Sequence, residues 1–240
     1  KAEKVADQAL EPVTEKQPVD GEALAEMLSP GGLFAQRFPG YEPRPQQIEM
    51  LRAVTEAFNL GYHLLVEAGT GTGKSVAYLL PAIYFAHQNG RHVVISTNTI
   101  NLQDQLLHKD IPDLRKIVPF DFKAVLLKGR SNYLCRRRLA AFQRSANLGE
   151  EEARVLAKIL VWLPQTTTGD RAELTLLNTE LKIWTQVQAE AETCLADRCP
   201  YREQGRCFLY RARHEAESAH LIIVNHALFL SDIMTDNRVL

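Results

Sequence analysis

Between Gln46 and Leu60 the apolar positions Ile48, Met50, Leu51, Val54, Ala57 and Phe58 recur at helical spacing, and Gly61 stands where a helix would close. The run Tyr62–Ala68 is apolar and of strand length. A glycine-rich turn follows at Gly69–Ser75, and Val76–His87 is again helical in pattern. Asn89-Gly90 is a turn, and His92–Ser96, rich in Val and Ile, reads as a second strand. Polar Thr97–Thr99 leads into a helix over Ile100–His108, and Ala124–Leu127 forms a third strand. This strand–helix alternation predicts an α/β fold with a parallel sheet and helices on both faces. Upstream, Glu22–Leu28 is a short helix stopped by Ser29-Pro30-Gly31-Gly32, and Leu33–Pro39 is a connector carrying two phenylalanines. Residues 1–22, polar and without an aromatic side chain, read as a linker or tail.

The alternation breaks at residue 130. From there to 214 the chain carries all of its cysteines, many arginines and helix-like stretches at Glu151–Trp162 and Leu176–Glu190. That region predicts an inserted, mainly helical subdomain. Leu221–Val224 resumes strand character, so 215–240 rejoins the sheet begun in 23–129. No internal repeat is visible. With 45% hydrophobic residues the chain can bury a sizeable core. The formal net charge of −1 excludes a polycationic coat protein but not a local basic patch. No run reaches membrane-spanning length and the first residues lack a signal core, which predicts a cytoplasmic protein that contacts no membrane.

Ala68-Gly69-Thr70-Gly71-Thr72-Gly73-Lys74-Ser75 fits the phosphate-binding loop, with Ala at its first position. Glycines let backbone N–H groups turn inward around phosphate oxygens, and the following helix N-terminus adds its positive dipole end. Lys74 can reach the β- and γ-phosphates and Ser75 can bind Mg²⁺. Such a loop does not name a substrate, since kinases, GTPases and motors share it.

The four cysteines are Cys135, then after a long gap Cys194, Cys199 and Cys207. In a reducing compartment clustered thiols serve metals more often than disulfides. Four thiolates at this spacing suit a 4Fe-4S cluster or a tetrahedral zinc ion equally. Basic residues crowd the same region, among them Lys128, Arg130, Arg136, Arg198, Arg202, Arg206, Arg211 and Arg213, with Tyr133, Tyr201, Phe208 and Tyr210 between them. Cations that follow a phosphate backbone and rings that stack on bases suit single-stranded DNA.

Several segments together resemble the DinG/XPD-type iron–sulfur DNA helicases of superfamily 2. Glu67–Ser75 resembles their motif I. Arg44-Pro45-Gln46-Gln47 followed by Met50 looks like their Q-motif, which implies that Arg44 and Gln47 join the nucleotide site, Gln47 at the adenine edge. Ser96–Leu106 is similar to motif Ia, which implies that Thr97, Asn98 and Thr99 touch the DNA backbone, although a threonine there would cap the next helix in any case. Lys128–Cys135 looks like the entry to the iron–sulfur domain, which adds Lys128, Arg130, Asn132 and Arg136 as DNA contacts. Val224–Phe229 resembles the return to the motor. The resemblance implies a RecA-like P-loop NTPase using ATP and Mg²⁺, a 4Fe-4S cluster on Cys135, Cys194, Cys199 and Cys207, and 5′→3′ translocation on single-stranded or forked DNA by a monomer with repair roles. The family's acidic Asp-Glu-Ala-His motif is missing: no Asp-Glu pair occurs in the 240 residues. The chain therefore reads as an N-terminal portion, nearly inert by itself, in which Lys74 and Ser75 are the catalytic residues present. An upstream nuclease domain is compatible with the linker-like start. The alternative reading is a non-catalytic single-stranded-DNA-binding module with a metal site.

Overall fold

The computed structural model describes residues 9–145 and 147–234. Residues 1–8 of the expected tail and 235–240 of the expected return to the sheet lie outside them. The described chain divides into two compact units. The first runs to Leu126 and resumes at Glu217; the second is Leu127–Ala216.

The first unit begins with α1 (Gly21–Leu28), capped by Asp20, whose carboxylate accepts from the Glu22 and Ala23 backbone N–H groups at 3.0 Å. The expected connector at Leu33–Pro39 contains a short helix, α2 (Leu33–Arg37). Tertiary packing overrides the turn signal there: Phe34 is buried and meets the rings of Phe38 and Tyr41. Helix α3 (Pro45–Leu60) starts on a proline and ends on Gly61 in the left-handed conformation. Helix α4 (Lys74–Asn89) is buried along most of its length and packs on α3.

Strands β1 (Val93–Thr97), β2 (Ala124–Leu126) and β3 (Leu221–Asn225) form a parallel sheet in the order β1-β3-β2. Val93 pairs with Leu221 and Thr97 with Asn225, so the strand that returns after the second unit lies in the middle. Its residues Leu221–Val224 are fully apolar and buried, as a strand covered on both faces requires. Between β1 and β2 the chain is helical as α5 (Ile100–Gln105), a π-turn at Leu106–Asp110 and α6 (Ile111–Arg115), well beyond the expected end at His108. Helix α12 (His226–Ile233) follows β3.

Two expectations fail in this unit. Tyr62–Ala68 is not a strand: no described segment pairs with it, and Leu65 is 99% exposed. Apolar sequence makes a strand only where a neighbour completes the hydrogen-bond ladder. Residues 9–20 are not a free linker. The Asn89 side chain accepts from Gln17 N–H at 2.7 Å and donates to Gln17 O at 3.1 Å; Asn59 treats Val19 the same way, at 2.8 Å in both directions. Each amide imitates one rung of a strand pairing, and Val19 is buried beneath.

In the second unit, α7 (Arg136–Gln143), α8 (Glu150–Trp162), α9 (Asn178–Val187), α10 (Pro200–Glu203) and α11 (Phe208–Glu217) enclose a separate core. Val155, Ile159, Trp184 and Phe208 sit at its centre. Antiparallel bridges Tyr133↔Asp170 and Leu134↔Gln188 tie the start of the unit to its middle. Gly169 permits the close packing: its φ is +68°, and a Cβ there would fall 2.2 Å from the Phe208 ring.

Candidate functional site: a phosphate-binding loop and a four-thiol unit

The loop before α4 is shaped by left-handed glycines, Gly71 at φ +80° and Gly73 at φ +78°. Gly73 has a second constraint, since a Cβ there would lie 2.2 Å from Gln47 Nε2. Lys74 Nζ donates to the carbonyls of Ala68 at 2.7 Å and Gly69 at 2.8 Å, and Thr72 Oγ1 donates to Gly69 O at 3.0 Å. The Lys74 ammonium thus lies inside the curl of its own loop, on the exposed side where a phosphate would meet it. Thr70 is exposed and Ala68 half-buried. Ser75, in the first turn of α4, hydrogen-bonds Tyr78, whose phenol burial pushes above the usual tyrosine value.

Arg44 and Gln47, at the start of α3, both reach this loop. Arg44 Nη1 donates to Gly71 O, and Gln47 Nε2 donates to Gly73 O at 2.9 Å. Gln47 is buried, and its Oε1 lies 3.3 Å from the Tyr41 hydroxyl, which itself donates to Leu28 O at 2.9 Å. Gln47 thus holds loop backbone as well as standing at the start of α3. Tyr41 is a residue that sequence reasoning missed; its signal was an aromatic ring three positions before Arg44.

At the C-terminal ends of β1 and β3, where open parallel sheets present their ligand crevice, Thr97 is buried with its hydroxyl donating to Thr99 O at 3.3 Å. Thr99 caps α5 by accepting from Leu102 N–H, also at 3.3 Å, and Asn98 and Thr99 are exposed. Ser96 Oγ lies 2.6 Å from His226 Nδ1, a pairing made by the parallel register and invisible in the sequence.

In the second unit Lys128 is paired with Asp170, both side chains largely buried, so its charge is answered inside the protein. Asn132 Nδ2 donates to Gly129 O at 3.1 Å. Arg130 is half-buried in the short 3-10 turn between them. Arg136 opens α7 with its guanidinium carbon 4.8 Å from the Phe208 ring centre. Cys135 and Cys199 cap α7 and α10, while Cys194 and Cys199 bracket Ala196, held at φ +46°, a strained conformation for a residue with a Cβ. Burial pushes the Cys207 thiol up, and Cys135, Cys199 and Cys194 all push it further, so the four thiols share one neighbourhood; the Tyr210 backbone N–H acts in the opposite sense. None is in a disulfide. Among the described residues no three Cys, His, Asp or Glu side chains stand at single-ion spacing.

The loop geometry and its α3 partners agree with what comparison finds. The DEAD/DEAH box helicase family matches residues 44–148. Through that segment, less than half of its length, the chain is similar to the DEAD/DEAH box helicases. It is 40% identical over 211 residues to the ATP-dependent DNA helicase YoaA of Haemophilus influenzae, covering 88% of this chain and 32% of that protein. It is 39% identical over 220 residues to the ATP-dependent helicase DinG of Mycobacterium tuberculosis, covering 84% and 32%, and 36% identical over 199 residues to the 3′-5′ exonuclease DinG of Bacillus subtilis, covering 83% and 21%. The chain thus spans a third or less of each of these relatives. Its helicase-family segment has the P-loop NTPase fold, and no helix of the described residues is long and apolar enough to cross a membrane.

Proposed function

We propose that this chain supplies the ATP-binding part of an ATP-dependent DNA helicase, with Mg²⁺ held at Ser75 and a 4Fe-4S cluster in its second unit. The observation that carries the nucleotide reading is the loop itself: left-handed Gly71 and Gly73, Lys74 curled into the loop, and two α3 side chains fixing its backbone. Lys74 would place its charge on the β- and γ-phosphates, where phosphoryl transfer concentrates negative charge. The second acidic motif that orients water in such motors is not in this sequence, so hydrolysis belongs to the longer protein.

Convergence of four thiols and the absence of any other cysteine support the cluster reading. Cys135, Cys194, Cys199 and Cys207 would each hold one iron. When bound, such a cluster would cross-link the two ends of the second unit, whose core is small. Single-stranded or forked DNA is the proposed track, touched by Asn98, Thr99, Arg130 and Arg136.

The test is ATP hydrolysis by the full-length protein with and without single-stranded DNA. Hydrolysis should rise with DNA, and Lys74→Ala should lower it ~100-fold or more, the scale of removing one charge-stabilising donor. Hydrolysis indifferent to DNA would sink the helicase reading. About four irons and four sulfides per chain should accompany the anaerobically purified protein; stoichiometric zinc without sulfide would overturn the cluster.

A further inference from the structure

Helices α3 and α4 are joined at both ends. At the start of α3, Arg44 and Gln47 donate to Gly71 O and Gly73 O, in the glycine loop from which α4 begins. At the other end, Asn59 and Asn89 lie in the last turns of α3 and α4. They hold Val19 and Gln17, which an extended chain separates by about 7 Å at most. The two helices therefore run side by side in one direction, and Phe58 stacks on Phe85 at 4.8 Å near their C-terminal ends.

The segment that crosses these ends is held at several points. Val13 N–H donates to Asn89 O at 3.1 Å, and Lys16 Nζ lies 5.9 Å from the Phe85 ring centre. Each asparagine amide both accepts from and donates to the segment's backbone. Gly90 leaves room for it, since a Cβ there would fall 2.0 Å from Glu11 O. None of this is needed to end the helices. Both already close on a left-handed glycine, whose N–H returns to Ala57 O in α3 and to Ala86 O in α4.

We propose that Asn59 and Asn89 are positioning residues for the nucleotide site, acting through residues 11–19 as a brace that fixes the tilt of α3 on α4. The inference rests on the nucleotide reading above and adds to it a control at the far end of the two helices. Helix α3 has 16 residues. It is a stiff rod of about 24 Å, so a tilt of about 3° at the braced end moves its start by about 1 Å. That shift is enough to break the 2.9 Å bond from Gln47 to Gly73 O. With the brace closed, Arg44 and Gln47 stay on the loop carbonyls and the loop's N–H groups are left for phosphate. With it open, freed carbonyls oppose the anion. Coupling between two sites is reciprocal, so bound nucleotide must in turn tighten the brace.

The experiment uses the full-length protein and the non-hydrolysable fluorescent ATP analogue mant-AMP-PNP with Mg²⁺. Val13→Pro with Gln17→Pro removes two N–H donors from the brace and leaves α3 and α4 unchanged. Asn59→Ala with Asn89→Ala removes the amides from the helix side. Each pair should weaken binding of the analogue about tenfold, a size usual for coupled sites. In the wild type, saturating analogue should slow tryptic cleavage after Lys16 by a similar factor, because cleavage follows the population of the open brace. A segment that only adds stability would leave that cleavage indifferent to the analogue. Unchanged affinity in both pairs, or cleavage after Lys16 that ignores the analogue, refutes the brace while the nucleotide reading stands. Loss in the asparagine pair alone also refutes it, since the effect would then lie in the helix ends. A wild type that does not bind the analogue would overturn both readings.

Discussion

Gly169 and Gly205 both adopt left-handed backbone, at φ +68° and +67°, yet they stand in opposite surroundings. A Cβ at Gly205 would meet nothing within 4 Å; at Gly169 it would fall 2.2 Å from Phe208 Cγ and 2.4 Å from Cδ2. Alanine at either site costs ~1–2 kcal/mol for the left-handed conformation. At Gly169 the Phe208 ring must also move within a closed core, adding ~1–3 kcal/mol. Gly169→Ala should thus lose about 2–5 kcal/mol and Gly205→Ala about 1–2 kcal/mol, from a total of order 5–15 kcal/mol for a domain. The chain's two tryptophans, Trp162 and Trp184, are both buried in the second unit, so urea denaturation followed by tryptophan emission reads that unit selectively. A shared slope with a clearly lower midpoint for Gly169→Ala is the expected result. Equal midpoints would refute the Phe208 clash as the reason for glycine at 169.

Asn89 is buried and accepts from Gln17 N–H while donating to Gln17 O and Phe85 O, so Asn89→Ala should release residues 9–20 at a cost of ~1–3 kcal/mol. Tryptic cleavage after Lys16 should accelerate, and an unchanged rate would show that the amide does not hold the segment. Glu180 is held below the ordinary carboxyl value of 4.5 by its bond to Lys158 first, then by the Leu177 backbone N–H. A depressed carboxyl stabilises the fold above its unfolded value, and that stability is lost as pH falls through the lower folded value. Tryptophan-monitored stability should therefore drop on acidification below about pH 4.5; a Glu180→Gln variant with the same acid dependence would place the effect elsewhere.

Periodicity and punctuation made α3 and α4 legible, because each is a long pattern bounded by its own cap: Pro45 and Gly61 for α3, Gly73 and Gly90 for α4; β1 and β3 were legible as short runs rich in Val and Ile. The glycine-rich turn before α4 was legible for the same reason, its conformation being local. What escaped reading depends on partners distant in sequence. Tyr62–Ala68 has strand composition, but pairing decides whether a strand forms. The hold on residues 9–20 needs Asn59 and Asn89, separated from their partners by 40 and 72 positions. Lys128 looked like a free cation until Asp170, 42 residues later, came to lie against it. Likewise a tyrosine between arginines is a base platform or an arginine rest, and only the fold of α10 onto α11 distinguishes the two.

The α3 side chains change what the glycine loop can bind. A bare loop offers as many carbonyl acceptors as N–H donors, and an anion is repelled by the first as it is drawn to the second. Here the acceptors are occupied one after another: Ala68 O by Lys74, Gly69 O by Lys74 and Thr72, Gly71 O by Arg44 and Gly73 O by Gln47. Four carbonyls are thereby engaged, and two of the groups that engage them, Arg44 and Lys74, are cations. The left-handed glycines keep those carbonyls in place for capture. With those four engaged, the balance of the loop's free groups shifts towards its N–H donors, in a field biased positive, which is the composition of an anion nest. Gln47 belongs to this arrangement as a positioning residue for Gly73, and its buried amide fits only while residue 73 has no side chain.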